Sequence, residues 1–148
     1  MIALVLFLAA AEPTDVKACM DHHRIAQKSR RDRDRRAAID CYERVFREQP
    51  SLHVERGMNL HFLHGEALWE MQRFDDAAQA YRKGYALDPG APHAWQSAYN
   101  EVLARFEHDK LARTPAEKRS RRAAFVVTLR AVLANIDEGM LSGSDSEI

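Results

Sequence analysis

Residues 58–89 carry two successive stripes of apolar side chains, and they leave little choice of fold. In the first half, Leu60, Leu63, Ala67, Leu68 and Met71 recur at the i, i+3, i+4 spacing of a helix with one apolar face. In the second, Ala77, Ala80, Tyr81, Gly84, Tyr85 and Leu87 repeat the pattern. Pro89 and Gly90 end it, because proline cannot continue a helix and glycine accepts a left-handed turn. The stretch therefore predicts two antiparallel helices joined by a tight turn. Gly65, Ala77 and Gly84 are small enough for the backbones to approach, and Leu68 and Tyr81 fill the gaps around them.

This set, Gly65, Leu68, Ala77, Tyr81, Gly84 and Pro89, resembles the tetratricopeptide repeat, a helix–turn–helix unit of about 34 residues. Two positions depart from the family pattern. His61 stands where Trp is usual, and His64 where a large apolar residue is usual. A single such unit cannot bury its own apolar face, so neighbouring units are expected on either side.

The rest of the chain supplies candidates. Residues 14–50 read as a decayed copy: with Pro50 set on Pro89, 39 positions on, Ala38 falls on Ala77, Tyr42 on Tyr81 and Phe46 on Tyr85. Arg35 takes the place of Phe74, which predicts a looser inner turn. The extra residues fall around Ser51–Gly57 and are expected to lengthen the next helix or its connection. A third unit begins at Pro92, a residue suited to the first helical position. Trp95, Ala98, Tyr99, Val102, Leu103 and Phe106 form its apolar stripe, and Tyr99 in place of a small residue predicts wider packing. Thr114, Pro115 and Glu117 form a capping box that opens a final helix to about Asp137. Phe125, Leu129, Val132, Leu133 and Ile136 lie on one face of it.

Charge and composition agree with a helical reading. Lys plus Arg equals Asp plus Glu at 22 each, unlike the strongly basic domains that bind nucleic acid. Val, Ile and Thr are sparse outside two short runs. The expected fold is all-α: a short right-handed superhelix of about three helix–turn–helix repeats over residues 12–138, closed by a long C-terminal capping helix. Residues 139–148 read as a disordered acidic tail.

Residues 2–11, IALVLFLAAA, are uncharged and apolar. They are shorter than the roughly 20 residues that cross a bilayer as a helix, so no membrane span is expected. They match the apolar region of a secretory signal peptide, with Ala9 and Ala11 placed for cleavage. A periplasmic or secreted bacterial protein is one expectation. An apolar turn docked on the repeats of a cytoplasmic protein is the other.

Cys19 and Cys41 are the only cysteines. If the first hairpin turns near Asp34, Cys41 faces a residue near Gln27. Cys19 then lies roughly 12 Å away along the axis, beyond the reach of about 7 Å for a disulfide. Both are therefore read as small buried apolar residues. His61 and His64, three apart and near Glu66, could share a weak metal site, but no firm third ligand and no HExxH pattern is present; two packed imidazoles are the simpler reading. Lys28–Arg36 holds six cations and two anions, and a second basic run spans Glu117–Arg122. Either could meet an anionic ligand, or be a solvated surface.

No nucleophile–base set, glycine-rich phosphate loop or paired catalytic carboxylates is recognisable, so neither an enzyme nor a cofactor is expected. The resemblance implies a groove lined by the first helix of each unit, taking a protein or peptide partner. Carried over by position, the first unit contributes Met20, His23 and Gln27. The second contributes Asn59, Phe62, Glu66, Trp69 and Glu70, and the third His93, Gln96, Asn100 and Leu103. Phe62 and Trp69 are the aromatic anchors of that expectation. Self-association through an apolar end face is a further expectation.

Overall fold

The computed structural model describes residues 14–91 and 93–138. The leader reading, the tail reading and the placement of Pro92 therefore lie outside the described residues. Six helices follow one another: α1 (Val16–Ser29), α2 (Asp32–Glu48), α3 (Leu60–Glu70), α4 (Phe74–Leu87), α5 (Ala94–Lys110) and α6 (Pro115–Asp137). The all-α class holds, with one small addition. Val54–Glu55 (β1) and Met58–Asn59 (β2) pair antiparallel in the connection from α2 to α3. The extra residues of that connection thus form a hairpin and leave α3 unlengthened. Arg56 and Gly57 turn it with φ of 51° and 76°, the positive values that two-residue hairpin turns demand.

Each helix packs antiparallel on the next. The ends show it. The backbone N–H of Thr14, just ahead of α1, donates to Glu48 at the end of α2 over 2.7 Å, and Asn59 ahead of α3 donates to the Gly84 carbonyl late in α4 over 2.9 Å. Side-chain caps fix three helix starts. Asp15 accepts from Lys17 N–H, Asn59 from Phe62 N–H, and Thr114 and Glu117 complete the expected capping box. Each satisfies an amide that the helix itself leaves unpaired.

Three apolar cores follow the chain. Val16, Cys19, Cys41, Tyr42, Val45, Leu60 and Leu63 join α1, α2 and α3. Ile39, Ala67, Leu68, Ala77, Ala78, Ala80, Tyr81 and Ala104 join α2 through α5. Tyr85, Ala94, Ala98 and Val132 join α4, α5 and α6. The hairpins of Ala38 and Ala77 are thus neighbours. Glycine permits the closest approach: a Cβ on Gly65 would lie 2.7 Å from the Tyr81 ring, inside any real carbon contact.

Two expectations need correction. Cys19 and Cys41 form a disulfide, with Cα atoms 5.3 Å apart. The hairpin turns at Arg30, whose φ of 55° ends α1 in the left-handed region, and α2 is already running at Asp32. With the turn at Arg30 and not at Asp34, Cys41 falls opposite Cys19. The second correction concerns α5. Trp95, Tyr99 and Phe106 of the predicted stripe are exposed, Tyr99 by 54%. Ala98 of the stripe is buried, and it shares that face with Ala94, Ser97, Glu101, Ala104 and Asp109. Tyr99 therefore sets no wider spacing, because small residues make the contact.

Charge pairs stitch the joints. Arg35 meets Glu70 between α2 and α3, Arg105 meets Asp75 between α5 and α4, and Arg122 meets Asp109 between α6 and α5. Arg35, in the place of an aromatic residue, spans to the next hairpin at 3.1 Å and compensates for the lost packing. Within the two basic runs, Asp34 accepts from Ser29 and Arg121 donates to the His108 carbonyl, so part of that charge is bound internally. Among the described residues no helix is long and apolar enough to cross a membrane.

Candidate binding groove on the face of α1, α3 and α5

Side chains of α1, α3 and α5 line a trough whose floor comes from α2 and α4. Its larger cavity, about 580 Å³, lies between α1 and α3. Met20, Met58 and Leu63 give it apolar walls, Lys17, Arg24 and Arg56 stand at its rim, and Tyr42, His23 and Glu66 provide polar atoms. A second cavity, about 250 Å³, lies between α3 and α5 and is lined by Glu66, Trp69, Glu70, Tyr81, Asn100 and Leu103. Glu66 borders both, so the two adjoin at that carboxylate.

The helix period explains the line-up. On α3, residues 59, 62, 66, 69 and 70 share one side of the helix, and the opposite side carries His61, His64 and Leu68 toward α2 and α4. On α1, Met20, His23 and Gln27 repeat at the same spacing. Tyr42 of α2 lines the same cavity as Met20, His23 and Gln27 of α1 and Leu63 and Glu66 of α3.

The polar atoms of the floor are in unusual states. Tyr42 is fully buried, and its hydroxyl has no hydrogen-bond partner among the described residues. Burial, and then the nearby Glu66, push its pKa up. His23 is 95% buried, its Nε2 lies 3.1 Å from Gln27, and its Nδ1 is without a partner among the described residues. Burial lowers its pKa, outweighing the pull of Glu70. Burial and then the Glu70 charge raise the pKa of Glu66. Its Oε2 lies 3.7 Å from His23 Nε2, and both shifts favour uncharged forms, so that contact is polar and weak. Glu70, by contrast, is held by Arg35.

Of the expected groove residues, Glu66, Trp69, Glu70, Asn100 and Leu103 are brought together around the second cavity, and Met20, His23 and Gln27 around the first. Asn59 stands apart, with its amide oxygen capping α3 and its amide nitrogen bonded to Gly84. Phe62 is half-buried between the first two cores, tilted on Tyr81 with centroids 5.7 Å apart. Trp69 rests edge-on against Phe74 with centroids 5.0 Å apart. Gln96 is half-buried on α5 and His93 is exposed ahead of it.

The sequence missed Tyr42 and Tyr81 as groove residues. Their alignment marked them as interior fillers, which their rings are; both also line the cavities. Arg56 and Met58 were missed because the β hairpin that delivers them was not foreseen.

His61 and His64 face the opposite side of α3 from Glu66. His61 stacks on Phe46, and His64 lies 3.8 Å from Glu43. Among the described residues, no three His, Cys, Asp or Glu side chains converge to hold a metal ion.

No protein-family model, curated protein or solved structure matches this chain.

Proposed function

We propose that the protein is a non-catalytic interaction scaffold, built from about three tetratricopeptide-like hairpins in a short right-handed superhelix that α6 closes. It holds a segment of a partner protein along the trough of α1, α3 and α5. The observation that carries this reading is the continuity of the trough: two cavities adjoin at Glu66 on a rigid, disulfide-stapled frame. A preformed surface spares the partner much of the ordering cost of association. Trp69 and Leu103 offer the apolar anchor at the α5 end, and Met20 and Leu63 at the α1 end.

The Cys19–Cys41 bridge also supports export, since disulfides persist in oxidising compartments and are rare in the cytosol. The periplasm or the exterior of a bacterial cell fits both the bridge and the apolar run of residues 2–11.

The test is capture of a partner by the purified protein, identified by mass spectrometry and then titrated as the purified pair. Trp69→Ala is expected to weaken that pair by about 30-fold, the scale of a central interface anchor. Unchanged affinity in both Trp69→Ala and Met20→Ala would move the interface elsewhere.

A further inference from the structure

We infer that Glu66 is the recognition carboxylate of the trough, and that the partner segment presents a Lys or Arg beside a bulky apolar side chain that enters the larger cavity. The inference rests on the groove reading above and specifies its ligand.

Three observations carry it. First, Glu66 is half-buried where the two cavities meet, and among the described residues its only salt-bridge contact is His23 at 3.7 Å. Its neighbour Glu70, one turn on, has Arg35 at 3.1 Å. One carboxylate of the pair is thus neutralised from within, while the other meets a weak, neutral partner. A carboxylate desolvated beside another is short of a cation, and a guanidinium or ammonium brought by a partner would supply it. The raised pKa of Glu66 has the same origin.

Second, the Tyr42 hydroxyl and His23 Nδ1 are buried in the floor of the larger cavity with no partner among the described residues. Buried polar groups are nearly always satisfied, so these two atoms leave unmet polarity beneath the cavity, closed to solvent as the floor now stands.

Third, the cavity is walled by Met20, Met58 and Leu63, and about 580 Å³ is ample for a Leu, Met or Phe side chain with its backbone. Methionines suit an apolar pocket that adapts to different side chains. At its rim Arg24 is paired with Asp21 and Arg56 with Glu55, while Lys17 adds a further cation, so the rim carries no net negative charge to draw a base and the basic residue is assigned to the Glu66 end.

A library of random dodecapeptides displayed on phage, selected on the full chain, tests this. Selected sequences are expected to share a Lys or Arg within one to four positions of Leu, Met, Phe or Trp. A synthetic peptide of that kind, titrated calorimetrically, should bind at least 10-fold more weakly to Glu66→Gln. Replacing its Arg by citrulline should cost the same factor on the wild-type protein and nothing further on Glu66→Gln. The peptide-side change keeps the test valid even if the variant folds poorly. Peptides that Trp69→Ala or Met20→Ala weakens but that lack a basic residue and ignore Glu66→Gln would overturn the cation assignment and leave the groove reading standing. Peptides indifferent to all three variants would overturn both. A dimer in sedimentation that Glu66→Gln dissociates would give the trough to a second copy of the chain and overturn the partner assignment.

Discussion

Phe46 of α2 and His61 of α3 lie face to face, with ring centroids 4.1 Å apart and planes 17° from parallel. The stack seals the joint between the first two hairpins, and His64 adds a tilted contact to Tyr42 one turn on, at 6.1 Å. Both imidazoles sit where the repeat pattern would place apolar bulk, and they serve that purpose in their neutral form.

A pH dependence follows. Burial is the main cause that lowers the pKa of His61 to about 4 and of His64 to about 3, from 6.5. In the unfolded chain both titrate at the ordinary value. The unfolded state therefore binds more protons between pH 6.5 and about 4, and stability falls as pH drops through that window. Above pH 6.5 both states hold neutral rings and the contribution is complete. Each imidazole adds a slope of up to about 1.4 kcal/mol per pH unit. Urea unfolding at pH 7.5, 6 and 5 should show wild-type stability falling more steeply than that of His64→Leu. The carboxylates common to both cancel in the comparison.

Glu101 of α5 is fully buried, and it accepts from Tyr85 Oη over 2.6 Å and from Arg82 Nε over 2.8 Å. Arg82 itself is half exposed, so its charge remains solvated when Glu101 is neutralised. The two halves of the pair are therefore unequal. Arg82→Ala leaves a buried carboxylate with one hydroxyl and should cost about 3 kcal/mol, in the range for stripping a buried charge of its partner. Glu101→Gln removes the buried charge, retains an acceptor for Tyr85 and should cost less. Urea midpoints of the two variants check the order, and an equal loss would place the carboxylate in a wetter site than its burial indicates.

Helix positions and the central hairpin were legible from the chain because the signals were local. The Gly65, Ala77, Tyr81 and Gly84 offsets encode one close contact, and the Thr114–Glu117 box encodes one helix start. The disulfide was missed for a related reason. A four-residue error in the turn, Asp34 against Arg30, displaces every cross-helix partner by about eight residues, roughly 12 Å or a little over two turns along the axis. Polar residues hid the face of α5: Glu101 and Asp109 lie outside its apolar stripe, and their pairing with Arg82 and Arg122 explains their burial. Trp95 and Tyr99 then fall outside, since one helix cannot bury both sides. Part of the lining of the two cavities was legible. Glu66, Trp69 and Asn100 come from the repeat resemblance carried over by position, but the orphaned Tyr42 hydroxyl depends on which atoms fail to find partners, and no spacing reports that.

Gly65 of α3 lies directly against the Tyr81 ring of α4. Its replacement by alanine would gain about 1 kcal/mol of helix propensity. The new methyl, however, would fall 2.7 Å from the Tyr81 ring, whose far side is held in the Ala77–Leu68 core. Overpacking of that kind costs about 1–3 kcal/mol, more than the propensity gain at its upper end. Gly65→Ala should therefore lower the melting temperature, and Tyr81→Leu added to it should recover part of the loss. A Gly65→Ala variant more stable than wild type would mean that the two helices are farther apart.

The Cys19–Cys41 bridge closes a loop with a sequence separation of 22 across the α1–α2 hairpin. Cross-links over loops of this size restrict the unfolded chain by about 3 kcal/mol in the chain-entropy view. Replacement of both cysteines by alanine should lower stability by that order, because the two side chains sit in the first core with Val45 and Leu60 and leave only small voids. Dithiothreitol should bring wild-type protein to nearly the same urea midpoint and leave the double variant unmoved. The bridge also holds α1 against α2, and α1 forms one wall of the larger cavity. Reduction should therefore weaken peptide binding in the trough more than it alters helix content. Circular dichroism and calorimetric titration on one reduced sample separate the two effects. Binding that survives reduction at full strength would show that α2 and α3 position α1 without the covalent link.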